Sequence, residues 1–134
     1  KDKPGEERLA IGADEMSYDP KVKTINFAGG SSLDTNAMKL TSADLSIRLK
    51  AEGNEMERIL AKGTVVILQK TKEGRGEEAN YDLKTDTVVL TGSPVLVDKE
   101  KGNTEGDKLT FYLGDGRILI ENKERGRSAT VIKS

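Results

Sequence analysis

Two pairs of adjacent carboxylates are the residues that most resemble acid–base machinery in this chain. Asp14-Glu15 and Glu77-Glu78 recur 63 residues apart, and paired carboxylates are the groups that hydrolyse glycosidic bonds. Both pairs fall near predicted strands, in which adjacent side chains point to opposite faces. Neither pair can then converge on one substrate atom, so we interpret both as solvated charge.

Other stretches with suggestive spacing also lack a complete site. The run 103–107 (NTEGD) has neither the alternating ligands nor the terminal glutamate of a calcium loop. The glycines of 74–76 and 114–117 lack the spacing and the strand-to-helix setting of a phosphate loop. Tyr18 and Tyr81 could stack on a sugar or a base, but their equivalent positions in a repeat favour packing, with the hydroxyl toward the rim.

Cysteine and histidine are absent from the sequence. Their absence removes the common zinc and thiolate ligands and the usual general base, and it leaves the scattered serines without a histidine partner. We therefore expect no enzyme activity, no metal and no cofactor. A chain without cysteine fits the cytosol, or a periplasmic protein that needs no disulfide.

Length and charge narrow the class of protein further. The 134 residues predict one domain, 1–134, with 1–7 expected to be disordered. Charged and hydrophobic residues each make up 34%, and the net charge is −1, so no nucleic-acid partner is expected. No apolar run approaches the roughly 18 residues that cross a bilayer. The start at Lys1, without methionine, indicates a mature or trimmed chain.

The segments that carry the acidic pairs and the two tyrosines form a repeat. The segment 13–29 aligns without a gap with 76–92, and 6 of the 17 positions are identical. Weaker copies lie at 106–122 and, with a five-residue insertion, at 42–63, so that the copies begin 29, 34 and 30 residues apart. Such a period is typical of stacked units that cannot bury their apolar faces alone.

Each copy predicts a strand, a turn and a second strand. The turns carry Asp, Asn, Gly or Pro and lie at 19–20, 52–54, 82–86 and 114–116. The second strands follow at 24–28, 58–61, 87–91 and 117–121. Gly29, Gly63 and Gly92 come directly after, at equivalent positions where we expect a bulge or a tight bend, and a third strand starts two residues on. Polar loops are predicted at 71–75 and 98–103, and a last strand at 128–132.

The apolar alternation changes phase at 13–15 and again at 42–44. A straight strand would then turn one apolar group to water, so we predict a corner at each place that lets both groups face inward. The segment 36–50 has the length of a helix, but its apolar residues fit the strand period better. The predicted fold is all-β: a mostly antiparallel β-jellyroll, a folded sheet built from four strand–turn–strand repeats.

Five stretches in order carry a resemblance to a known family. They read ADEMSYD…KTINFAG, LTSADLSI, ILAKGTVVILQ, VVLTGSPVLV and GDKLTFYL. From about Leu9 to Glu121 the chain resembles the OstA-like family, the lipopolysaccharide-transport proteins of the LptA type. The resemblance implies a periplasmic, non-enzymatic β-jellyroll with a V-shaped cross-section, whose apolar groove shields the acyl chains of lipopolysaccharide between inner and outer membrane. It also implies head-to-tail stacking of copies and partners of the same fold at both membranes.

The resemblance further implies which side chains line the groove, because in the family these are the inward apolar positions of the strands. The matching positions here are Ile11, Met16, Tyr18, Ile25, Phe27, Leu33, Met38, Leu40, Leu45, Ile47, Ile59, Val65, Ile67, Tyr81, Val88, Leu90, Leu96, Leu109, Phe111, Ile118 and Ile120. The insertion around 51–55, and Ser31 where later copies have Val65 or Pro94, depart from the pattern.

Burial of hydrocarbon could hold such a ligand. One methylene is worth about 0.8 kcal/mol, so an acyl chain of about a dozen carbons could gain on the order of 10 kcal/mol.

Three alternatives stay open: the same side chains could close a dry core, the chain could be the periplasmic domain of an LptC-like partner anchored in the inner membrane, or it could be a β-solenoid scaffold or polysaccharide-binding module. The basic segment 123–127 could contact phosphorylated head groups, although a solvated end is the simpler interpretation.

Overall fold

The computed structural model describes residues 9–122 and 128–132, and within them it contains one antiparallel sheet of fourteen strands and no helix. In chain order the strands are β1 (Leu9–Gly12), β2 (Glu15–Asp19), β3 (Thr24–Ala28), β4 (Ser31–Thr35), β5 (Lys39–Ser42), β6 (Asp44–Leu49), β7 (Met56–Gln69), β8 (Lys72–Asp82), β9 (Thr87–Thr91), β10 (Val95–Asp98), β11 (Gly102–Glu105), β12 (Lys108–Tyr112), β13 (Arg117–Asn122) and β14 (Ser128–Ile132). The expected all-β fold is confirmed, including the last strand. The predictions for 1–7 and 123–127 lie outside the described residues.

Two long strands, β7 and β8, hold the sheet together and fork it into two halves. The first part of β7 pairs with β6 and its last part with β5. Likewise the first part of β8 pairs with β10 and its last part with β9. We call the half with β2, β3, β6, β9, β12, β13 and β14 half-sheet A, and the half with β1, β4, β5, β10 and β11 half-sheet B.

Each predicted repeat is one antiparallel hairpin of half-sheet A. The positions that align in the sequence also pair in the same register within each hairpin: Tyr18 with Ile25, Ile47 with Ile59, Tyr81 with Val88, and Phe111 with Ile118. The five-residue insertion falls in the loop between β6 and β7. The repeat therefore stacks four copies of one hairpin side by side, as its period predicts.

The chain passes between the two half-sheets at the predicted bends. Gly63 and the following Thr64 both have positive φ, 88° and 47°, and the same two-residue pattern recurs at 29–30 and 92–93. The phase changes at 13–15 and 42–44 fall between β1 and β2 and between β5 and β6, where the strand partner changes from half-sheet B to half-sheet A. We call this line the crease; it comprises residues 12–15, 28–31, 42–44, 61–64, 76–78, 91–95, 105–108 and 121–122.

The two predicted polar loops are shorter than expected. The prediction of a loop at 71–75 is wrong, because β8 already begins at Lys72. That at 98–103 is wrong at both ends, because β10 includes Asp98 and β11 begins at Gly102. Inward positions of β8 are filled by Lys72 and Gly74, both buried. A Cβ on Gly74 would lie 2.6 Å from Cζ of Phe111 on the opposite half-sheet. The first part of β8 thus shows no apolar alternation, and at Gly74 the facing aromatic ring occupies the side-chain space.

Candidate functional site

The inner surface shared by the two half-sheets is apolar and continuous. Sixteen of the predicted groove positions are buried in one cluster: Leu33, Met38, Leu40, Leu45, Ile47, Ile59, Val65, Ile67, Tyr81, Val88, Leu90, Leu96, Leu109, Phe111, Ile118 and Ile120. Most of them are aliphatic. The structure therefore brings these side chains together, and in it they pack against one another.

The remaining five predicted positions lie at the N-terminal end of this surface, where it is open. Met16 and Tyr18 are 68% and 49% exposed, and Ile25 and Phe27 are partly buried. Met16 pairs with Phe27 and Tyr18 with Ile25, so the four side chains share one face of the sheet. Phe27 in turn pairs with the buried Leu45, so the exposed residues continue the core surface.

The fifth position, Ile11, is partly buried on β1 and packs against the core. Among the described residues, β1 pairs with β4 alone and β2 with β3 alone. These strands are therefore edges, and the apolar side chains of β2 stay about half exposed or more. The surface is closed in its middle and open at this end.

The predicted groove positions leave out a row of leucines on half-sheet A. Leu49, Leu83 and Leu113 each lie two residues beyond an aligned inward position, and all three belong to the core or pack on it. The backbone N–H of each donates to the preceding hairpin: Leu49 to the carbonyl of Lys23 at 2.9 Å, and Leu113 to that of Asp86 at 3.1 Å. Their equivalent spacing in the repeat is the signal that could have identified them.

The two repeated tyrosines differ in the structure. Tyr81 is 1% exposed, and its hydroxyl donates to Oδ1 of Asp86 in the following turn at 3.3 Å, so the predicted packing role is confirmed there. Tyr18, on the edge strand, is not packed in this way. The difference follows from position in the sheet, because Tyr81 lies between two neighbouring strands.

The repeated acidic pairs lie at the crease. A Cβ on Gly29 would meet the Asp14 side chain, and one on Gly92 would meet that of Glu77. Within the described residues, no group of three or more Asp, Glu, Cys or His side chains is placed to hold a metal ion. The pairs are thus solvated charge next to the glycine bends.

Aspartates also begin the hairpin turns. Asp19, Asp82, Asp98 and Asp115 each accept the backbone N–H two residues later, at 2.9 to 3.0 Å. These backbone hydrogen bonds are the main reason that the pKa values of Asp98 and Asp115 lie below the ordinary range, and nearby cations lower them further. The carboxylates of Asp98 and Asp115 therefore stabilise their turns as anions.

The half-sheets also approach each other at the margin opposite the crease. We call this margin the mouth; it comprises the turns at 19–24, 35–39, 48–58, 68–73, 82–87, 98–102 and 112–117. A cleft opens there between segments 34–39 and 68–70 of half-sheet B and segment 113–116 of half-sheet A. Met38 and Leu113 line this cleft and also belong to the core cluster, so the apolar core reaches the wall of the cleft.

Within the described residues, no helix is long and apolar enough to span a membrane. A family model described as "LptA/(LptD N-terminal domain) LPS transport protein" matches residues 10–117. The chain is 24% identical over 131 residues to "Lipopolysaccharide export system protein LptA" of Escherichia coli K12. The aligned region covers 92% of this chain and 70% of that protein. The protein of the same name from Shigella flexneri gives the same values.

A solved structure has the same fold. LptH of Pseudomonas aeruginosa, described as the LptA homologous periplasmic component of the conserved lipopolysaccharide transport device, superposes with a TM-score of 0.74 over 95% of each chain, at 15% sequence identity. At this identity the likeness concerns the fold. The predicted jellyroll is therefore confirmed.

Proposed function

The chain belongs to the LptA/(LptD N-terminal domain) LPS transport protein family, and on that premise we propose that it is a periplasmic lipopolysaccharide-binding protein that shields acyl chains between its half-sheets. The observation that carries the proposal is the continuous aliphatic inner surface, closed in the middle and open at β2 and β3. The similar proteins LptA and LptH, both components of lipopolysaccharide transport, support it. The proposed role is carriage, without catalysis.

The open end is the proposed entrance for the acyl chains. Met16, Ile25 and Phe27 offer flexible or flat apolar side chains beside the closed core. Each methylene that leaves water there gains about 0.8 kcal/mol. Chains that extend inward must separate side chains that now pack together, so the bound state requires the half-sheets to part. The acyl chains would then move onward by partition from one apolar surface to an equivalent one.

The same edges suggest how copies connect. In the described part of the chain, β1 and β2 lack a second strand partner at one end, and β11 and β14 lack one at the other. Unpaired edge strands offer backbone N–H and C=O groups to another chain, and head-to-tail pairing would extend the inner surface from copy to copy. We propose that the protein bridges the two membranes in this way and meets transport partners of the same fold at both ends.

Photocrosslinking on one strand tests the shielding of acyl chains. Phe27 faces the core surface, whereas the adjacent Asn26 is exposed on the opposite face of β3. A photoreactive amino acid at Phe27 should label lipopolysaccharide added to the purified protein, and the same group at Asn26 should not. Ile25 provides a second inward position against the same control.

Equal labelling from both faces would contradict the proposal, as would labelling from neither while circular dichroism shows an intact sheet. The second result would favour a dry core, in which the inner side chains serve the fold alone. A variant that simply fails to fold is recognised by the same spectrum, and the Ile25 position then decides.

A further inference from the structure

Charged side chains are distributed unevenly between the two margins of the folded sheet. Among the described residues, the crease carries eight carboxylates and two lysines. The carboxylates are Asp14, Glu15, Asp44, Glu77, Glu78, Glu105, Asp107 and Glu121, and the lysines are Lys62 and Lys108. This margin is strongly anionic, so it disfavours an anionic ligand.

Along half-sheet B, the charge at the mouth differs from the charge at the crease. Its turns follow one another because β5, β7, β8 and β10 are neighbours in the sheet. Exposed lysines on these turns form what we call the lysine row: Lys39, Lys70, Lys99 and Lys101. Since neighbouring strands are about 4.8 Å apart, the row extends over about 15 Å. None of its four members forms an ion pair with a described carboxylate.

Five carboxylates lie near the lysine row, and three of them are already engaged. Asp115 lines the mouth cleft and pairs with Arg117 at 2.8 Å. Asp98 accepts the N–H of Glu100 at 2.9 Å and pairs with the buried Lys72 at 4.0 Å, and Glu73 forms an ion pair within β8. Asp34 and Glu100 remain as exposed anions. The lysines outnumber them, so the row keeps a net positive charge.

The mouth cleft lies beside the first half of the row. Lys39 and Lys70 line it, together with Met38 and Leu113 of the core cluster. Cations and apolar core side chains thus meet at one place. If an amphiphile placed its acyl chains among the core side chains, its polar head could lie in this cleft, next to the ammonium groups of the lysines.

We propose that the lysine row binds the phosphate-bearing saccharide head of the amphiphile whose acyl chains enter the core. This inference rests on the proposed function and adds an orientation, with the head at the mouth and away from the anionic crease. Lysine binds phosphate as a compact point charge. Each exposed contact is weak, so the row acts through several lysines at once.

Binding of three probes to the purified protein tests the proposal: bisphosphorylated lipid A, the same lipid after phosphatase treatment, and inorganic phosphate. One variant carries Lys39→Gln and Lys70→Gln, and a second carries Lys99→Gln and Lys101→Gln. The matched control, Lys62→Gln with Lys108→Gln, removes the same charge from the crease. We expect each row variant to bind the phosphorylated lipid about tenfold more weakly than the native protein, and the control to stay within about twofold.

The dephosphorylated lipid should bind the native protein and both row variants alike. Equal affinity of the native protein for the two lipids would overturn the head-group contact while leaving acyl-chain binding in place. Full competition by inorganic phosphate, or an equal loss in the crease control, would also overturn it, because the row would then be a free-anion site or a general charge effect. If neither lipid binds the folded protein, the proposed function and this inference fail together.

Discussion

The backbone N–H of Ala43 donates to the carbonyl of Gly63 at 2.8 Å, and a Cβ on Gly63 would lie 2.8 Å from the Cβ of Ala43. The close approach recurs along the crease, where a Cβ on Gly29 would meet the side chain of Asp14 and one on Gly92 that of Glu77. Each glycine combines positive φ with a close neighbour. At these glycine positions of the crease, an added side chain would strain the backbone and would also clash with a neighbouring residue.

Gly63→Ala should destabilise the fold by about 2–5 kcal/mol, because it adds a strained φ and an overlap with Ala43. Gly53→Ala is the matched control: Gly53 has a similar φ of 82° but no atom within 4 Å of its Cβ position. The control should cost only about 1 kcal/mol. Urea unfolding followed by circular dichroism measures both, and equal losses would show that the neighbour at the crease is irrelevant.

Gly74→Ala should cost about 1–3 kcal/mol through overpacking against the Phe111 ring. If the ring is the cause, Phe111→Leu in the same chain should recover at least about 1 kcal/mol relative to the sum of the single changes. Gly114→Ala, in a turn with no atom within 4 Å of its Cβ position, is the control and should be nearly neutral. Strict additivity in this cycle would exclude contact between the half-sheets at this point.

Met16→Asp should weaken the proposed head-to-tail association, because it places a charge on the exposed apolar edge strand β2. Val22→Asp is the control, since Val22 is 58% exposed but lies in the turn after that strand. Sedimentation velocity over a range of concentrations should show shorter assemblies for the Met16 variant alone. Unchanged assembly in both variants would place the contact away from β2.

Asp115→Ala should lower stability at pH 7, and its difference from the native protein should shrink in acid. The N–H of Arg117 donates to this carboxylate and holds its pKa below the ordinary 3.8. The stabilisation is therefore fully present above that value and is lost as the pH falls through the lower pKa of the folded state.

Thermal unfolding at several pH values between 7 and 2.5 measures the effect of Asp115. Asp115→Asn, which keeps an oxygen acceptor for the turn, should lie between the native protein and the alanine variant at neutral pH. A gap between native and alanine proteins that stays constant into acid would mean that the charge of Asp115 does not stabilise the turn.

The repeat by itself determined the hairpins and their pairing. Tyr18 and Tyr81 align in the repeat, as do Ile25 and Val88, and in the sheet Tyr18 pairs with Ile25 just as Tyr81 pairs with Val88. Spacing and alternation suffice here because each hairpin is a local structure, formed by residues close in sequence. The sequence also predicts the bends, because changes in apolar phase and recurring glycines mark their places along the chain.

Burial was decided only by tertiary structure. Tyr18 and Tyr81 occupy one repeat position, yet one is 49% and the other 1% exposed, because β2 is an edge strand and β8 lies between neighbours. Gly74 and Lys72 likewise occupy inward positions that no alternation reveals, since what a strand buries depends on the half-sheet that faces it. The sequence specifies which side of each hairpin is apolar, while the folding of one sheet onto itself determines which of those sides are covered and which remain open to a ligand.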